Sequence, residues 1–556
     1  MNAARFTLLA AAAVALAAGP GPASAQDAPK PGSPFGEGGD EPPRPLTPEE
    51  EVAARKLFAE GKALLDRDVY QQGRAKFREF LKKYPGADED MLREAEDRGG
   101  DNCLVGIEKQ HDAGPPERRI DVELMGDGYI QKEFKKFAPD ALSQMLEFWR
   151  DPLYDEYESY INVWRFDLIS KEEGVDEISP EEKGAPVPPP DPRKRPKPKK
   201  AKEYRKYSTA LNCVAAGPQN QVMADPDQVY RWRRYLKESD GLTIAFAKKG
   251  ALGMGGGGIA TTGKKVAVVH EFGHAFINLL DEYQGNPQRP GGKVFAANAI
   301  STDDPDPRKP PPLEEIPWKH WLIAKNPEVG VHLGGATYST GVFRPAPGCA
   351  MNSGGGGNYC WVCREAGVLM IYSYVSPIDE VGPVQDRVTV AVGETREFSV
   401  LPMAPKRHPL KVEWFLQRTA TGPLPPADPA VTPEDGTSFV RDDRAAQMWR
   451  MDGDRAAARR ENPLPDGPPP GSPVKAVLKK VPGGGVRSTV SLSKLDPGGW
   501  RLTAKVFDDT KVPKFSFPWV LKDPDRLREE WRSWDIEVPM PAAAPPPSPS
   551  GPAKPR

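Results

Sequence analysis

The stretch "VAVVHEFGHAFINLLDEY", residues 266–283, sets two of the chain's six histidines four positions apart around a glutamate. On an α-helix, residues i and i+4 lie on one face, so His270 and His274 both direct a ring nitrogen at one point. Glu271 stands beside them, within reach of a water at that point. This H-E-x-x-H spacing predicts two zinc ligands and a general base on one helix.

The simpler alternative is a pair of helix histidines without a metal, because H-E-x-x-H also arises by chance. The apolar "VAVV" before the motif is typical of the inner helix of an α/β domain, and the chain is otherwise poor in histidine. Both observations favour the metal.

A catalytic zinc has three protein ligands, so a third must come from elsewhere. Asn278 tolerates the left-handed conformation that ends a helix, which lets the chain turn back after it. Asp281 is then the first choice for the third ligand, with Glu282 and His320 as weaker candidates. In the alternative role, Asp281 orients a ligand histidine.

The N-terminal residues 1–25 contain one basic residue, an apolar stretch and an A-x-A end, which predicts a cleavable signal peptide. The apolar stretch is too short for a membrane span. We therefore expect a secreted or periplasmic protein without a membrane span. Lys plus Arg (76) nearly balances Asp plus Glu (78), so charge does not indicate nucleic acid.

Export also bears on the five cysteines. In an oxidising compartment they are expected to be disulfide partners in preference to metal ligands, and the odd number leaves at least one outside a pair. The cysteines are Cys103, Cys213, Cys349, Cys360 and Cys363.

The 64 prolines and 53 glycines in 556 residues indicate several domains separated by linkers. Residues 26–45 are predicted to be a disordered linker, and residues 46–110 a helical hairpin of tetratricopeptide type. Thr47 and Glu50 form a predicted capping box at its first helix. A partner-binding role for the hairpin is the less favoured alternative to packing on its neighbour.

From residue 118 the pattern is mixed α/β up to residue 380, interrupted by a Pro/Lys-rich insert at 177–205. The tract "GMGGGG" lacks the ending of a phosphate loop and predicts a turn or a close backbone approach. Short alternating strands over 384–525 predict an Ig-like β-sandwich, and 540–556 a disordered tail.

The segment "HEFGHAFINLLDEY" resembles the zinc helix of the IgA-peptidase family of metallopeptidases. The likeness spans roughly residues 118–375. It includes the closing segments "GGATYSTGVFRPAPGCAM" and "YCWVCREAGVLMIY", with a Cys-x-Met and a C-x-x-C element. The resemblance implies an α/β (α+β) metzincin-like zinc peptidase domain. The chain is therefore predicted to be multidomain, with this domain between the hairpin and the sandwich.

The resemblance also implies roles for the closing segment. Met351 would lie in a turn beneath the zinc site, where an ordinary core methionine makes almost the same prediction. Cys349 would pair with Cys360 or Cys363, whereas a redox or structural-metal motif is the alternative for "CWVC". Two departures from the family pattern are Asn278, where glycine is usual, and Asn352, where arginine is common.

The leading interpretation is a secreted zinc endopeptidase with one catalytic Zn²⁺, a protein or peptide substrate and Glu271 as general base. Neither nucleic acid nor a membrane span is expected, and the sequence does not indicate an oligomeric state. A catalytically silent binding protein on the same scaffold is one alternative. A zinc amidohydrolase acting on cell-wall peptides is another.

Overall fold

The computed structural model describes residues 43–177, 205–216, 221–237, 239–250, 252–263, 267–353, 357–419, 454–481 and 485–540. The predicted signal peptide, most of the N-terminal linker, the Pro/Lys-rich insert and nearly all of the tail lie outside these residues. The chain divides into two compact units. The first runs to Ile371 and includes Trp519–Lys522, and the second holds the other described residues from Tyr372 onward.

The first unit opens with helices α1 (Pro48–Leu65), α2 (Tyr70–Lys83) and α3 (Glu89–Gly99). The predicted capping box is confirmed, because the Thr47 side chain accepts from the Glu50 backbone while the Glu50 side chain accepts from Thr47. Such a cap stabilises a helix by about 1 kcal/mol. The sequence did not predict α3, and the tetratricopeptide-like character of the hairpin stays a prediction.

The remaining helices and strands of the first unit build its sheets. The helices are α4 (Phe137–Phe148), α5 (Pro152–Glu156), α6 (Pro226–Arg233), α7 (Val268–Ile277), α8 (Lys319–Ile323), α9 (Ala350–Ser353) and α10 (Trp361–Tyr374). The strands are β1 (Cys103–His111), β2 (Ile120–Asp127), β3 (Ile161–Ile169), β4 (Asp176–Glu177), β5 (Val214–Ala216), β6 (Gln221–Met223), β7 (Leu242–Ala247), β8 (Met254–Gly256), β9 (Ile259–Thr262), β10 (Gln284–Asn286), β11 (Phe295–Ala296), β12 (Ala299–Ser301), β13 (His332–Gly335) and β14 (Thr337–Arg344).

The main sheet has the strand order β1-β3-β2-β7-β9-β8. Its central strands β3, β2, β7 and β9 are parallel, and the outer strands β1 and β8 run antiparallel to their neighbours. Every residue of β2 is buried, which is expected of a parallel strand covered on both faces. The parallel strands and the helices between them agree with the mixed α/β pattern predicted from residue 118.

One predicted boundary is wrong. The hairpin was predicted to extend to residue 110, but Cys103–His111 forms β1 and pairs with β3, with Cys103 opposite Ile169. The α/β fold therefore begins before residue 118. The alternation within β1 is weak because only its first residues are fully buried, so nothing local marks it as sheet.

Two smaller sheets complete the first unit. One has the order β10-β14-β12-β11, with β13 also paired to β14, and the other has the order β4-β5-β6. The first of these follows α7 in the chain and carries the segment after the two histidines. Helix α7 packs against β8 and β9 at the edge of the main sheet.

The second unit consists mainly of β15 (Ile378–Gly382), β16 (Arg387–Thr389), β17 (Arg396–Pro402), β18 (Lys411–Arg418), helix α11 (Asp454–Glu461), β19 (Ser472–Pro473), β20 (Val477–Lys480), β21 (Val486–Leu492), β22 (Gly498–Phe507) and β23 (Glu529–Val538). They form sheets of order β15-β17-β21-β20 and β16-β23-β22-β18-β19.

Side chains of these two sheets meet in a common core. Phe398 of the first sheet packs edge-on against Trp534 of the second, and the Trp414 indole donates to Ser488 across the same space. The sheets exceed the predicted range 384–525 at both ends, because β15 and β23 pair into them. The Ig-like character of this unit stays a prediction.

In the part of the chain that the structure describes, no helix is long and apolar enough to cross a membrane.

Candidate metal centre

Helix α7 carries the H-E-x-x-H motif and ends where the sequence predicts. Asn278 has φ 58° and ψ 33°, the left-handed conformation, and its backbone N–H donates to the carbonyl of Gly273. Leu279 donates to the same carbonyl, at 3.1 Å. These bonds satisfy the last turn of the helix and reverse the chain, so the residues after Asn278 return to the face that carries the histidines.

Three side-chain atoms converge on one point. Asp281 Oδ1 lies 3.1 Å from His270 Nε2 and 3.2 Å from His274 Nε2. The two Nε2 atoms are themselves 3.2 Å apart. Tetrahedral zinc with ligands at about 2.0–2.1 Å spaces its ligand atoms roughly 3.3 Å apart. The triangle therefore has nearly the dimensions that one zinc ion requires.

The other ring nitrogen of each histidine, Nδ1, is hydrogen-bonded to a backbone carbonyl. His270 Nδ1 lies 2.9 Å from the Ala350 carbonyl, and His274 Nδ1 lies 2.6 Å from the Leu279 carbonyl. A carbonyl only accepts, so each Nδ1 donates, and each Nε2 faces the triangle as the atom that can bind a metal once it has released any proton. Metal-binding histidines are commonly oriented by such bonds. The donor set therefore fits a divalent metal such as zinc.

Asn298 fixes the turn that brings Asp281 back. Its side chain accepts from the Leu280 backbone at 3.0 Å and donates to the Leu280 carbonyl at 2.8 Å. It also donates to Glu282 Oε1 at 3.1 Å. Asn298 is fully buried, so these bonds form away from competing water. One amide side chain thus holds the backbone before Asp281 and the side chain of the residue after it.

Glu271 is buried beside the histidines, with its carboxylate within 4.8 Å of their ligand nitrogens. The glycine tract packs directly on it. A Cβ at Gly253 would lie 3.1 Å from Glu271 Oε1, and one at Gly255 would lie 2.0 Å from the Glu271 carbonyl. The predicted close backbone approach is confirmed, because only glycine lets β8 lie this near the helix.

Met351 packs beneath the motif helix. It is fully buried, and a Cβ at Gly273 would lie 2.7 Å from its sulfur and 2.9 Å from the Tyr359 hydroxyl. The Tyr359 hydroxyl donates to the Val269 carbonyl at 2.5 Å. Gly273 therefore leaves the room in which Met351 and Tyr359 support the helix from below.

The electrostatics of the triangle favour a cation. Burial lowers the pKa of His274, but the hydrogen bond and charge of Asp281, with Glu271 and the Leu279 carbonyl, raise it to about 9. Burial raises the pKa of Asp281, yet the two histidines hold it below its usual range. The cluster thus holds positive charge firmly. Burial raises the pKa of Glu271, with the two histidines opposing, which suits a group that exchanges protons.

The two weaker candidates for the third ligand lie elsewhere. Glu282 points to the cysteines, with its Oε1 3.1 Å from Cys363 Sγ. His320 Nε2 is 2.5 Å from Glu365 Oε2. His320 also belongs to neither group of potential metal ligands among the described residues. Of the three candidates, only Asp281 has a potential ligand atom next to His270 and His274.

All five cysteines lie in described segments, and the structure forms no disulfide among them. Cys103 and Cys213 are buried separately from the rest. Cys349, Cys360 and Cys363 come together, with the sulfurs of Cys349 and Cys363 at 3.7 Å. The disulfide between Cys349 and one of the other two therefore remains a prediction.

Sequence reasoning missed three contributions to this site. One is Asn298, a second is the Ala350 carbonyl, and the third is Tyr283. Its ring stacks near His270 at 6.3 Å, and burial together with the charge of Asp281 raises the pKa of its hydroxyl. Tyr283 is the last residue of the quoted segment "HEFGHAFINLLDEY", so an aromatic hydroxyl two residues after the proposed ligand Asp281 was the available signal.

The α/β fold, the H-E-x-x-H helix and the returning carboxylate are the features expected of a metallopeptidase. Comparison with known proteins agrees: the model of the family described as IgA Peptidase M64 matches residues 108–184. The match supports the IgA-peptidase family of metallopeptidases, and the predicted resemblance is confirmed. It covers the main-sheet strands β2 and β3, whereas α7 lies beyond it. No curated protein matches the chain.

Proposed function

We propose that the protein is an exported zinc-dependent endopeptidase in which His270, His274 and Asp281 bind the metal and Glu271 is the general base. The observation that carries this proposal is the triangle of two Nε2 atoms and Asp281 Oδ1, with sides of 3.1 to 3.2 Å. The hydrogen bonds that orient both histidines support it, because they turn both Nε2 atoms and the Asp281 carboxylate toward one point that a metal ion can occupy.

A bound zinc ion supplies Lewis acidity, which polarises a substrate carbonyl and acidifies a water molecule. Glu271 takes the proton of that attacking water and passes it to the leaving amine, so its carboxyl alternates between charged and neutral forms. Burial raises the pKa of Glu271, and this makes the neutral form accessible during the reaction. The Asp281 and His274 side chains keep 18% and 16% of their surface exposed, which leaves one side of the triangle open.

The tyrosine beside the triangle suits a supporting role. A tyrosine hydroxyl is ordinarily protonated at neutral pH, and the raised pKa of Tyr283 extends that range, so the hydroxyl is available as a hydrogen-bond donor. We propose that the Tyr283 hydroxyl donates to the carboxylate of Asp281, whose charge is among the causes of the raised pKa. In this role Tyr283 positions the carboxylate that completes the ligand set.

The main sheet offers a place for an extended peptide. Strand β8 is the last in the strand order and pairs only with β9 within that sheet. The unpaired backbone groups of an edge strand can bind a peptide as an added strand. Because Gly255 of β8 and Gly253 just before the strand pack against Glu271, a peptide on this edge would run beside the proposed general base.

The test uses the mature chain from residue 26 and its Glu271→Gln variant, with zinc content and hydrolysis of unfolded casein measured on both. We expect zinc binding in both proteins and a loss of hydrolysis of about 10²-fold or more in the variant. Equal activity of the two proteins would remove Glu271 from the mechanism. Absence of metal from a folded parent in metal-replete buffer would instead favour a silent binding protein.

Peptidoglycan digestion provides the second arm. Cleavage of cell-wall peptides without cleavage of casein would favour the amidohydrolase, since the chemistry at the metal is the same. Glu50→Gln in the first helix is a suitable control, because its carboxylate serves the capping box and touches no residue of the site. This variant is expected to retain full activity.

A further inference from the structure

A second group of metal-ligand side chains lies directly behind the first. Glu282 follows Asp281 in the chain, Cys349 precedes α9, and Cys360 and Cys363 lie at the N-terminal end of α10. Their four ligand atoms all lie within 4.8 Å of one another. The carboxylate belongs to the segment after α7 and the sulfurs to the segment around Met351, so the group joins two parts of the chain that are far apart in sequence.

The carboxylate of Glu282 is buried with incomplete hydrogen bonding. Its side chain is fully buried. Oε1 accepts from Asn298, whereas Oε2 has no hydrogen-bond partner among the described residues. A buried carboxylate costs several kcal/mol unless a cation or a full set of hydrogen bonds compensates it. Thiol hydrogens are weak donors and do not meet that cost.

The spacing of the group fits a tetrahedral zinc ion. The sulfurs of Cys349 and Cys363 are 3.7 Å apart, and thiolates about 2.3 Å from a zinc ion are roughly 3.8 Å apart. Glu282 Oε1 lies 3.1 Å from Cys363 Sγ and 3.9 Å from Cys360 Sγ. Sulfur and oxygen ligands of one zinc ion are separated by about 3.5 Å, which lies between these two values.

A disulfide fits the same group less well. A disulfide joins two sulfurs at about 2.05 Å, so the third cysteine would take no part in it. It also leaves the buried carboxylate of Glu282 without a cation, whereas a metal ion uses all four side chains. The backbone N–H of Cys360 points at Cys349 Sγ at 3.4 Å, a contact that favours a thiolate.

Two arginines moderate the negative charge of such a ligand set. The guanidinium of Arg344 is within electrostatic reach of Glu282, and that of Arg364 is within reach of Cys349 and Cys360. Three thiolates and a carboxylate exceed the charge of one Zn²⁺, so nearby positive charge lowers the cost of burying them.

We propose that Cys349, Cys360, Cys363 and Glu282 bind a second zinc ion in a closed, structural site. Four protein ligands leave no open coordination position, which is the mark of a structural zinc and not of a catalytic one. Binding displaces the thiol protons into solvent as the thiolates coordinate the ion. No oxidant is consumed.

The second site would position the first, a consequence that rests on the proposed function. Cys349 is followed by Ala350, whose carbonyl orients His270, and Glu282 is preceded by Asp281. The backbone N–H of Glu282 also donates to the Met351 carbonyl at 2.8 Å. An ion held by both segments therefore fixes the spacing between the carbonyl behind His270 and the carboxylate in front of it.

The test combines zinc content with X-ray absorption at the zinc edge on the mature chain, purified without reductant. We expect about two zinc ions per chain, with sulfur scattering near 2.3 Å besides nitrogen and oxygen scattering. Cys363→Ser should lose the sulfur signal and about half of the zinc, while His274→Ala should lose the other half and keep the sulfur signal. Cys103→Ser, which alters a buried cysteine in β1, is the matched control and should lose neither.

Cobalt substitution covers the case in which Cys363→Ser does not fold. The Co²⁺-loaded parent and the Co²⁺-loaded His274→Ala variant should both show thiolate-to-metal charge-transfer absorption. A disulfide between two of the three cysteines in the folded parent, with no sulfur scattering and no charge-transfer band, would overturn the second site and leave the peptidase proposal standing. Absence of hydrolysis by the parent protein, with the sulfur signal intact, would overturn the peptidase proposal and leave the second site standing.

Discussion

Asp281 and Glu282 are consecutive residues whose carboxylates enter different clusters. Asp281 Oδ1 lies 3.1 Å from His270 Nε2, while Glu282 Oε1 lies 3.1 Å from Cys363 Sγ. Although adjacent in the chain, the two side chains therefore point to different neighbours, one to the histidines and the other to the cysteines. One short segment after α7 thus supplies both proposed metal sites with a carboxylate.

Asp281→Asn is predicted to weaken zinc binding at the histidines. The amide retains the size of the carboxylate but lacks its charge, so we expect a loss of affinity of about 100-fold. Competition with a chromophoric chelator measures it. Glu282→Gln is the matched control, and it should leave the histidine-bound ion in place while weakening the sulfur-bound one. Equal zinc affinity at the histidines in parent and Asp281→Asn would move the third ligand to another residue.

Asn298→Ala is predicted to lower zinc affinity although Asn298 touches neither histidine. Its two bonds to Leu280 hold the turn before Asp281, and we expect a 10- to 100-fold loss, about the effect of removing a group that orients a ligand. Asn326, another buried asparagine of the same unit, provides the comparison. If Asn298→Ala and Asn326→Ala both lose stability but keep zinc affinity, the turn does not depend on the amide.

Gly255→Ala is predicted to impair catalysis through the position of Glu271. The added Cβ would lie 2.0 Å from the Glu271 carbonyl, so β8 and α7 must separate. We expect a loss of stability of about 1–3 kcal/mol, the usual cost of overpacking, and a fall in kcat. Gly291→Ala, where a Cβ meets nothing within 4 Å, should change neither quantity. Unchanged kcat in a folded Gly255→Ala protein would show that the glycine tract does not position the base.

The features that the sequence predicted correctly are local ones. The end of α7 follows from the backbone preference of Asn278, and the shared face of His270 and His274 follows from helical period. Strand β2 was recognisable because apolar residues alternate with polar ones along "IDVELM", which is the two-residue period of a strand. In each case the determining interaction spans only a few residues.

The features that sequence reasoning missed depend on contacts between distant residues. Ala350 meets His270 across 80 positions, and only the backbone of Ala350 takes part, so its residue type carries no signal. Cys103 joins the main sheet through β3, 66 positions later in the register. The cysteines were assigned to disulfides from the expected compartment, which says nothing of the buried Glu282 beside them. Tertiary packing decided each of these outcomes.

The last prediction concerns Asp121 in β2. Its carboxyl group binds a proton more tightly in the folded protein than in the unfolded chain. Burial raises its pKa to about 6, although hydrogen bonds from Trp164 and Asn162 lower it. The unfolded value is about 3.9, so the stabilising contribution of the bound proton is complete below about pH 4 and is lost as the pH rises through about 6. Asp121→Asn does not titrate. Between pH 4 and 7 the variant should therefore gain about 1–3 kcal/mol relative to the parent.

Denaturant unfolding of the first unit at several pH values measures this difference for Asp121→Asn. The amide oxygen can still accept from Trp164 and Asn162, and the amide nitrogen takes the place of Oδ2, which lacks a partner among the described residues. The exposed Asp303 provides the control, since Asp303→Asn makes the same chemical change at the surface. A pH-independent difference between Asp121→Asn and the parent would mean that Asp121 titrates normally in the folded protein. The cost of burying its charge would then be met by the hydrogen bonds from Trp164 and Asn162.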